Sequence, residues 1–221
     1  MTTKADRSLA NRTLQAFLKF AARLTAVEVL NIRAFGRDLV PKTGGGLVLS
    51  NHQSNLDPVI IGLACERRLN YLARTTLFTS RAFRLLVAAL DAIPIDREGT
   101  GLGGLKETLK RIKRGEYVLI FPEGTRTPDG EVHAMKPGFC AIARRGRVPL
   151  VPVAVDGAFD AWPRQRKLPR RAVIHVHWGQ PITPDEVERM TDDELVALVE
   201  KRIRACHAAA RASRNRAKGR A

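Results

Sequence analysis

Short apolar runs alternate along the chain with segments of helical periodicity, and this alternation limits the possible folds more than any other feature. Several runs are continuously apolar, as strands are in a sheet that helices cover on both faces. The predicted strands are 46–50, 69–73, 92–96, 117–121, 150–155 and 172–178. The predicted helices are 58–65, 80–90, 102–114 and 136–145, followed by two that open at the capping boxes of Thr183 and Thr191. This pattern predicts a three-layer α/β fold with a mostly parallel, mixed sheet flanked by helices.

The 221 residues suit a single domain, because the sequence has no internal repeat and no linker long enough to divide it. Within it, 30–208 is predicted to form the α/β core, and 209–221 a basic, disordered tail that lacks large apolar residues to bury. An N-terminal amphipathic helix is predicted at 8–29, with one apolar and one basic face. Such a helix can lie in a membrane interface or cover its own core, and periodicity favours neither.

Positive charge is in large excess, since 38 Lys and Arg residues against 22 Asp and Glu residues give a net charge of +16. The excess indicates a polyanionic partner: nucleic acid, an anionic membrane surface, or an acidic substrate or carrier. Basic residues concentrate in 164–171 and in 201–221. A specific nucleic-acid partner is not expected, because no helix-turn-helix or zinc spacing appears and the few aromatic residues lie mainly in apolar segments.

Two further residue types argue against a disulfide framework and a metal site. Cys65, Cys140 and Cys206 are odd in number and widely spaced, which predicts a reduced, intracellular protein. His175 and His177 share one face of a predicted strand, but no third ligand lies nearby, so a structural role is favoured over a metal site. No apolar segment is long enough to span a membrane.

The first candidate site is the polar run from Asn51 to Asp57, which directly follows the strand 46–50 and precedes a helix. Open α/β sheets place their sites at such strand ends. His52 is suited to act as a general base, and Asp57 can fold back across the turn to orient it. Taken alone, the motif favours the roles of turn and helix-cap residues for His52 and Asp57 over a catalytic role.

Two more polar loops follow strands. In the run Phe121–Thr127, Gly124 permits close approach of the backbone, and Arg126 is suited to bidentate phosphate binding. Arg97 follows the strand 92–96. Loops at the ends of parallel strands converge on one edge of a sheet, so the sequence predicts a cleft that activates a hydroxyl on a phosphorylated acceptor.

The four polar and apolar blocks resemble, in order, those of the glycerolipid acyltransferases. Asn51–Asp57 is similar to their Asn-His-x-x-x-x-Asp block and Phe121–Thr127 to their Phe-Pro-Glu-Gly-Thr-Arg block. Ile93–Arg97 is similar to the intervening Arg block, and Val151–Val155 to the Val-Pro-Val block. The resemblance implies a glycerolphosphate acyltransferase-like fold, and it is strongest to the 1-acyl-sn-glycerol-3-phosphate acyltransferases.

The resemblance also implies residue roles. His52 would take the proton of the acceptor hydroxyl and Asp57 would orient it, so that the hydroxyl attacks an acyl thioester directly. An acyl-enzyme on Ser50 or Ser54, which flank the motif, is the minor alternative. Arg74 stands where many relatives have Lys. The residues expected to bind substrate are Asn51, Arg74, Arg97, Glu123, Gly124, Thr125 and Arg126. Of these, Arg97 and Arg126 are expected to make the main contacts with the phosphate.

The resemblance implies transfer of a fatty acyl group from acyl-CoA or acyl-ACP to the sn-2 hydroxyl of lysophosphatidic acid, giving phosphatidic acid without a further cofactor. The expected location is the cytoplasmic face of the cell membrane, with peripheral or monotopic attachment to its anionic surface. One alternative is an acyltransferase that acts on another acceptor, namely glycerol-3-phosphate, another lysophospholipid or an aminolipid. A remote alternative is a basic nucleic-acid-binding module. A dinucleotide site at Gly99–Gly104, which matches G-x-G-x-x-G, is disfavoured because Asp96–Glu98 separate it from its strand.

Overall fold

The computed structural model describes residues 31–67, 69–74, 92–95, 102–166 and 168–219. The predicted helices 8–29 and 80–90, and Arg97, lie outside these residues. The strands are β1 Ile32–Phe35, β2 Gly46–Ser50, β3 Leu69–Arg74, β4 Ala92–Ile95, β5 Tyr117–Ile120, β6 Leu150–Asp156 and β7 Ile174–Trp178. The helices are α1 Asp57–Ala64, α2 Leu102–Lys113, α3 Gly138–Gly146, α4 Ala158–Ala161, α5 Pro184–Arg189 and α6 Asp192–Lys218, with a 3-10 turn at Arg37–Leu39.

The strands form one seven-stranded sheet in the order β1-β7-β6-β2-β5-β3-β4. Strands β6, β2, β5, β3 and β4 run parallel, β7 is antiparallel to β6, and β1 is parallel to β7. The predicted mixed, mostly parallel sheet is therefore confirmed. The carboxyl ends of β2, β5, β3, β4 and β6 lie at one edge of the sheet, here called the carboxyl edge.

Strand β2 explains why the apolar runs are continuous. All five of its residues, GLVLS, are buried, because β5 and β6 flank it and helices cover both faces. Leu47 and Leu49 pack in one cluster with Phe139 of α3 and Leu195 of α6. Val48 packs on the opposite face, in a cluster with residues of α1 and α4. Helices on both faces give the predicted three layers.

The predicted capping boxes begin the last two helices. The Thr183 and Thr191 side chains each accept a hydrogen bond from the backbone N–H three residues on, and Glu186 and Glu194 bond back to them. Strand β1 was not predicted from the sequence. Its four residues alternate between half-buried and exposed, so they lack the continuous apolar pattern of the central strands.

The prediction of a disordered tail is wrong for 209–218, because α6 continues to Lys218. Large apolar residues are unnecessary there: Ala210 and Ser213 are buried where α6 packs on β6 and β7. Arg214 supplies the polar part of the contact, pairing with Asp156 at 2.6 Å and with Asp160 at 2.6 Å. Small side chains and ion pairs thus order a segment whose composition is typical of disorder.

The same helix explains the histidine pair of β7. His175 Nδ1 lies 2.7 Å and His177 Nε2 3.0 Å from the hydroxyl oxygen of Ser213 on α6. Burial lowers the pKa of His175 to about 4, so this ring is neutral at physiological pH. The pair therefore joins α6 to the sheet. Among the described helices, none combines the length and the apolar character that crossing a bilayer requires.

Candidate active site

His52 and Asp57 meet at the carboxyl end of β2, as the sequence predicts. His52 Nδ1 lies 2.8 Å from Asp57 Oδ2. The same oxygen accepts the backbone N–H groups of Gln53 at 2.5 Å and Ser54 at 2.7 Å, and Asp57 is fully buried. These three bonds fix the carboxylate at the first residue of α1. With Nδ1–H donating to Asp57, Nε2 carries the lone pair that can accept a proton.

The loop after β5 lies directly against His52. The rings of His52 and Phe121 stack with centroids 4.0 Å apart and an interplanar angle of 16°. The His52 N–H donates to Glu123 Oε1 at 3.2 Å, and its C=O accepts the Thr127 N–H at 2.8 Å. The predicted convergence of these two loops is therefore observed. Phe121, which restrains the His52 ring, is a contact that the sequence motif alone does not reveal.

Glu123 is a buried carboxyl group beside the His52 backbone. Burial raises its pKa to about 7, although the His52 N–H opposes the shift. Its second oxygen, Oε2, is buried and has no hydrogen-bond partner among the described residues. A buried polar atom without a partner is rare in folded proteins. Glu123 can therefore accept or donate one further hydrogen bond at the site, depending on pH.

Gly124 allows the sharp turn of the loop 121–127. Its φ of 72° lies in the left-handed region that favours glycine, and its N–H donates to the Phe121 C=O at 3.0 Å. Thr125 is exposed and Arg126 is half-buried. The Lys136 Nζ lies 3.5 Å from the position that a Cβ on Gly124 would occupy. An ammonium group therefore lies over the predicted substrate loop.

Lys136 was not among the site residues predicted from the sequence. It precedes α3, and its backbone N–H donates to the Pro122 C=O at 2.9 Å, which returns the chain to the loop after β5. The sequence signal for it was only a basic residue ahead of a helix. Its place beside Gly124 results from the fold of 127–137, which has no regular secondary structure.

Asn51, which was predicted to bind substrate, has a structural role in the described residues. Asn51 is fully buried, and its side-chain amide donates to the Val155 C=O and accepts the Val155 N–H, both at 2.9 Å. Both polar atoms are therefore used to join the ends of β2 and β6. Asn51 thus positions the loop that carries His52.

The hydroxyl groups of Ser50 and Ser54, near His52 in the chain, donate hydrogen bonds to backbone carbonyl groups. Ser50 Oγ donates to the Asn51 C=O at 3.0 Å, and Ser54 Oγ donates to the Trp162 C=O at 2.8 Å. Both residues are fully buried. Neither hydroxyl is hydrogen-bonded to His52 in the part of the chain described, so the geometry disfavours a seryl nucleophile.

A second set of contacts holds residues 51–57, here called the catalytic loop, from the side of α6. Gln53 Nε2 donates to the Gly130 C=O at 2.7 Å, and its Oε1 accepts the Phe159 N–H at 3.2 Å. The His207 Nε2 lies 3.2 Å from Gln53 Nε2 and 3.3 Å from Asp156 Oδ1. Gln53 is fully buried among these groups, so the last helix restrains the residue next to His52.

Three further residues concern the site: Arg74, Arg97 and His133. Arg74 is the last residue of β3, which joins β2 through β5, and so lies at the carboxyl edge. Arg97, two residues beyond the end of β4, lies outside the described residues. The exposed His133 is bound to Asp129 Oδ1 at 2.9 Å.

Comparison with known proteins supports both the fold and the site blocks. A family model described as acyltransferase matches residues 31–156, which contain both polar loops. The 1-acyl-sn-glycerol-3-phosphate acyltransferase of Bacillus subtilis is 27% identical over 169 residues, which are 76% of this chain and 82% of that protein. The protein of the same name from Pseudomonas aeruginosa is 34% identical over 157 residues, which are 68% of this chain and 59% of that protein.

The fold has a counterpart among solved structures. The crystal structure of the 1-acyl-sn-glycerophosphate (LPA) acyltransferase from Thermotoga maritima superposes with a TM-score of 0.75 at 23% identity, covering 91% of this chain and 81% of that one. This likeness confirms the predicted architecture. Because the family model matches more than half of the residues, including the two loops that meet at His52, the chain is an enzyme of the acyltransferase family.

Proposed function

We propose that this enzyme transfers a fatty acyl group from an acyl thioester to the sn-2 hydroxyl of 1-acyl-glycerol-3-phosphate, giving phosphatidic acid. The observation that carries the proposal is the contact between His52, held by Asp57 at 2.8 Å, and the loop that contains Glu123 and Arg126. A base beside a cationic loop suits a hydroxyl on a phosphorylated acceptor. The names of the relatives supply the identity of that acceptor.

The geometry supports a direct transfer without an acyl-enzyme. The acceptor hydroxyl loses its proton to His52 Nε2 as its oxygen attacks the thioester carbonyl, and Asp57 stabilises the imidazolium that forms. The tetrahedral intermediate collapses, the carbon–sulfur bond breaks, and the departing thiolate takes the proton back from His52. Ser50 and Ser54 have no part in this sequence, since both hydroxyls bond to the backbone.

Cationic groups at the carboxyl edge would bind the acceptor phosphate. Arg126 and Arg97 are the principal candidates. Lys136 is a further candidate because its ammonium group lies over Gly124. Arg74, at the end of β3, would make a weaker contact. Thr125 is exposed at the same loop and Gly124 leaves the backbone accessible. Glu123 would shape the acceptor pocket from below, since its carboxyl group holds the backbone of His52.

The donor would be acyl-CoA or acyl-ACP, used as a co-substrate, with no other cofactor in the mechanism. The net charge of +16 fits association with the anionic cytoplasmic face of a membrane, where lysophosphatidic acid resides. A preference for another acceptor is tested directly by assaying purified protein with lysophosphatidic acid, glycerol-3-phosphate and other lysophospholipids. Each acceptor is paired with both thioester donors.

The decisive test is His52→Ala, with His133→Ala as the matched control. We expect His52→Ala to lower turnover with lysophosphatidic acid by at least about 100-fold, because it removes the general base. His133 is exposed and bonded to Asp129, so its variant keeps wild-type turnover. Near-wild-type turnover of His52→Ala would contradict the mechanism, and higher activity with glycerol-3-phosphate than with lysophosphatidic acid would contradict the acceptor.

A further inference from the structure

The chain between α4 and β7 combines an exposed apolar residue with exposed arginines. Leu168 is 74% exposed, and among the described large apolar residues only Phe35, at 39%, is also exposed. Arg164, Arg166 and Arg171 are exposed on either side of Leu168. Residues 163–166 and 168–171 are here called the docking loop. A largely exposed leucine with arginines on both sides is typical of surfaces that bind a lipid bilayer, where the apolar side chain meets acyl chains and the cations meet lipid phosphates.

The docking loop lies at the carboxyl edge, next to the catalytic loop. It follows β6 through the short helix α4, and its preceding residue, Trp162, accepts the Ser54 hydroxyl at 2.8 Å. The Phe159 N–H in α4 donates to Gln53, the neighbour of His52. The exposed leucine is therefore on the same edge of the molecule as the proposed acceptor site.

Hydrogen bonds hold the docking loop in one shape. The Trp162 Nε1–H donates to the Arg166 C=O at 2.9 Å, and the Arg170 N–H donates to the Ala161 C=O at 2.9 Å. The Arg170 Nε–H donates to the Asp160 C=O at 2.6 Å. The loop thus presents its leucine without a large further loss of conformational entropy on binding.

The end of α6 extends the basic surface beside this loop. Arg214 and Lys218 reach Asp160, just before the docking loop, at 2.6 and 3.5 Å. Arg216 and Lys218 are exposed on the same last turns of the helix. The region that composition alone assigned to a disordered tail is therefore an ordered, cationic neighbour of the loop.

We propose that the docking loop inserts Leu168 into an anionic lipid bilayer while Arg164, Arg166 and Arg171 bind lipid phosphates, which turns the carboxyl edge toward the membrane. This inference rests on the proposed function, because the acceptor would then enter the site from the bilayer that the loop contacts. An acidic carrier protein would also attract the arginines. The exposed leucine favours the bilayer, since acyl chains bury an apolar side chain that charge pairing alone leaves in water.

The first test locates the loop in the membrane with a fluorescent label. Leu168→Cys and a control, Thr43→Cys, are made in a Cys65→Ser background, where the remaining Cys140 and Cys206 are buried and protected from labelling. Thr43 is exposed just before β2, at the opposite edge of the sheet. Vesicles of phosphatidylglycerol and phosphatidylcholine carry a quencher on the acyl chains.

We expect strong quenching of the label at position 168 and little at position 43, whether or not the predicted helix 8–29 also binds the membrane. Equal quenching at the two positions on protein that sediments with the vesicles would overturn the proposal. So would the absence of quenching at 168 in vesicles that retain the protein. DNA added in excess should displace the protein only weakly.

The second test measures binding and turnover together. Leu168→Gln should lower vesicle partitioning about tenfold, and each of Arg164→Gln, Arg166→Gln and Arg171→Gln about fivefold. Turnover of vesicle-embedded lysophosphatidic acid should fall in parallel, while turnover of detergent-dispersed substrate stays unchanged. A raised KM for acyl-ACP with unchanged vesicle binding would assign the surface to an acidic protein and overturn the proposal. A wild-type enzyme inactive on dispersed substrate would contradict the proposed function instead, leaving the quenching result to decide the docking.

Discussion

At the scale of single residues, the carboxylate oxygens of the site differ in how many hydrogen bonds they accept. Asp57 Oδ2 receives three hydrogen bonds from the five residues that precede it, which fixes the His52 ring. Asp57 Oδ1 and Glu123 Oε2 are both buried without a described partner. The three bonds to Oδ2 orient the base before substrate arrives.

The contribution of cations to acceptor binding can be measured on Arg126 and Lys136. Arg126→Ala should raise the KM for lysophosphatidic acid about 10- to 100-fold with little change in kcat, because a phosphate contact is made equally in ground and transition states. Lys136→Ala should raise the KM for lysophosphatidic acid about tenfold, and Lys136→Arg, which keeps the positive charge, should have a KM close to that of the wild type. Steady-state kinetics give both parameters, with the exposed Lys42→Ala as control. A fall in kcat at constant KM would contradict the phosphate role.

Glu123 makes the stability of the protein depend on pH. Its pKa is about 7 in the folded protein and near 4.5 when unfolded, so the folded state binds more protons between these values. The free energy of unfolding therefore falls as pH rises from about 4.5 to 7, by up to about 3 kcal/mol. Glu123→Gln should remove this part of the pH dependence, as measured by urea unfolding across that range. The exposed Glu66→Gln should retain it, and identical pH slopes for the wild type and Glu123→Gln would refute the assignment.

At the scale of elements, α6 links the sheet to both functional surfaces. It packs on β6 and β7, its His207 contacts Gln53 beside the base, and its last turns contact Asp160 before the docking loop. Asp156, at the end of β6, is where these contacts meet. Burial raises the pKa of Asp156, but the His207 hydrogen bond and the Arg214 charge together hold it below its usual value.

The ion pairs of Arg214 should therefore be worth far more than a surface pair on the same helix. Arg214→Ala should destabilise the protein by about 2–4 kcal/mol, since it leaves the buried Asp156 with less compensation. Arg204→Ala, which removes an exposed pair with Glu200 one turn away, should cost under about 0.5 kcal/mol. Urea denaturation of both variants measures the difference. Equal losses would mean that α6 is held by apolar packing alone.

At the scale of the whole molecule, parallel topology brings distant segments to one edge. Strand β2 lies between β5 and β6, so the loops at 51–57 and 121–127 and the end of β6 become neighbours although they are far apart in sequence. Asn51 joins two of these strand ends directly. The proposed site and the docking loop then share an edge because α4 follows β6 without a crossover.

The elements with a strong local signal were predicted within a few residues of their bounds. Continuously apolar strands such as β2 and β6 and the capping boxes at Thr183 and Thr191 need only neighbouring residues to be recognised. Strand β1 and the end of α6 were missed, because each is ordered by residues far away in the chain. For α6 these are Asp156, Asp160 and the histidines of β7.

The sequence by itself determined the fold class and the edge at which the polar loops would meet, because local periodicity predicts the order of strands and helices. The pairing of His52 with Asp57 was implied by the resemblance of their block to that of the glycerolipid acyltransferases. Only the tertiary structure decided what each neighbouring side chain does. It buried Asn51 against Val155, brought Lys136 over Gly124 and left Leu168 exposed. Burial and contact depend on which segments pack together, and no local pattern in the chain encodes that.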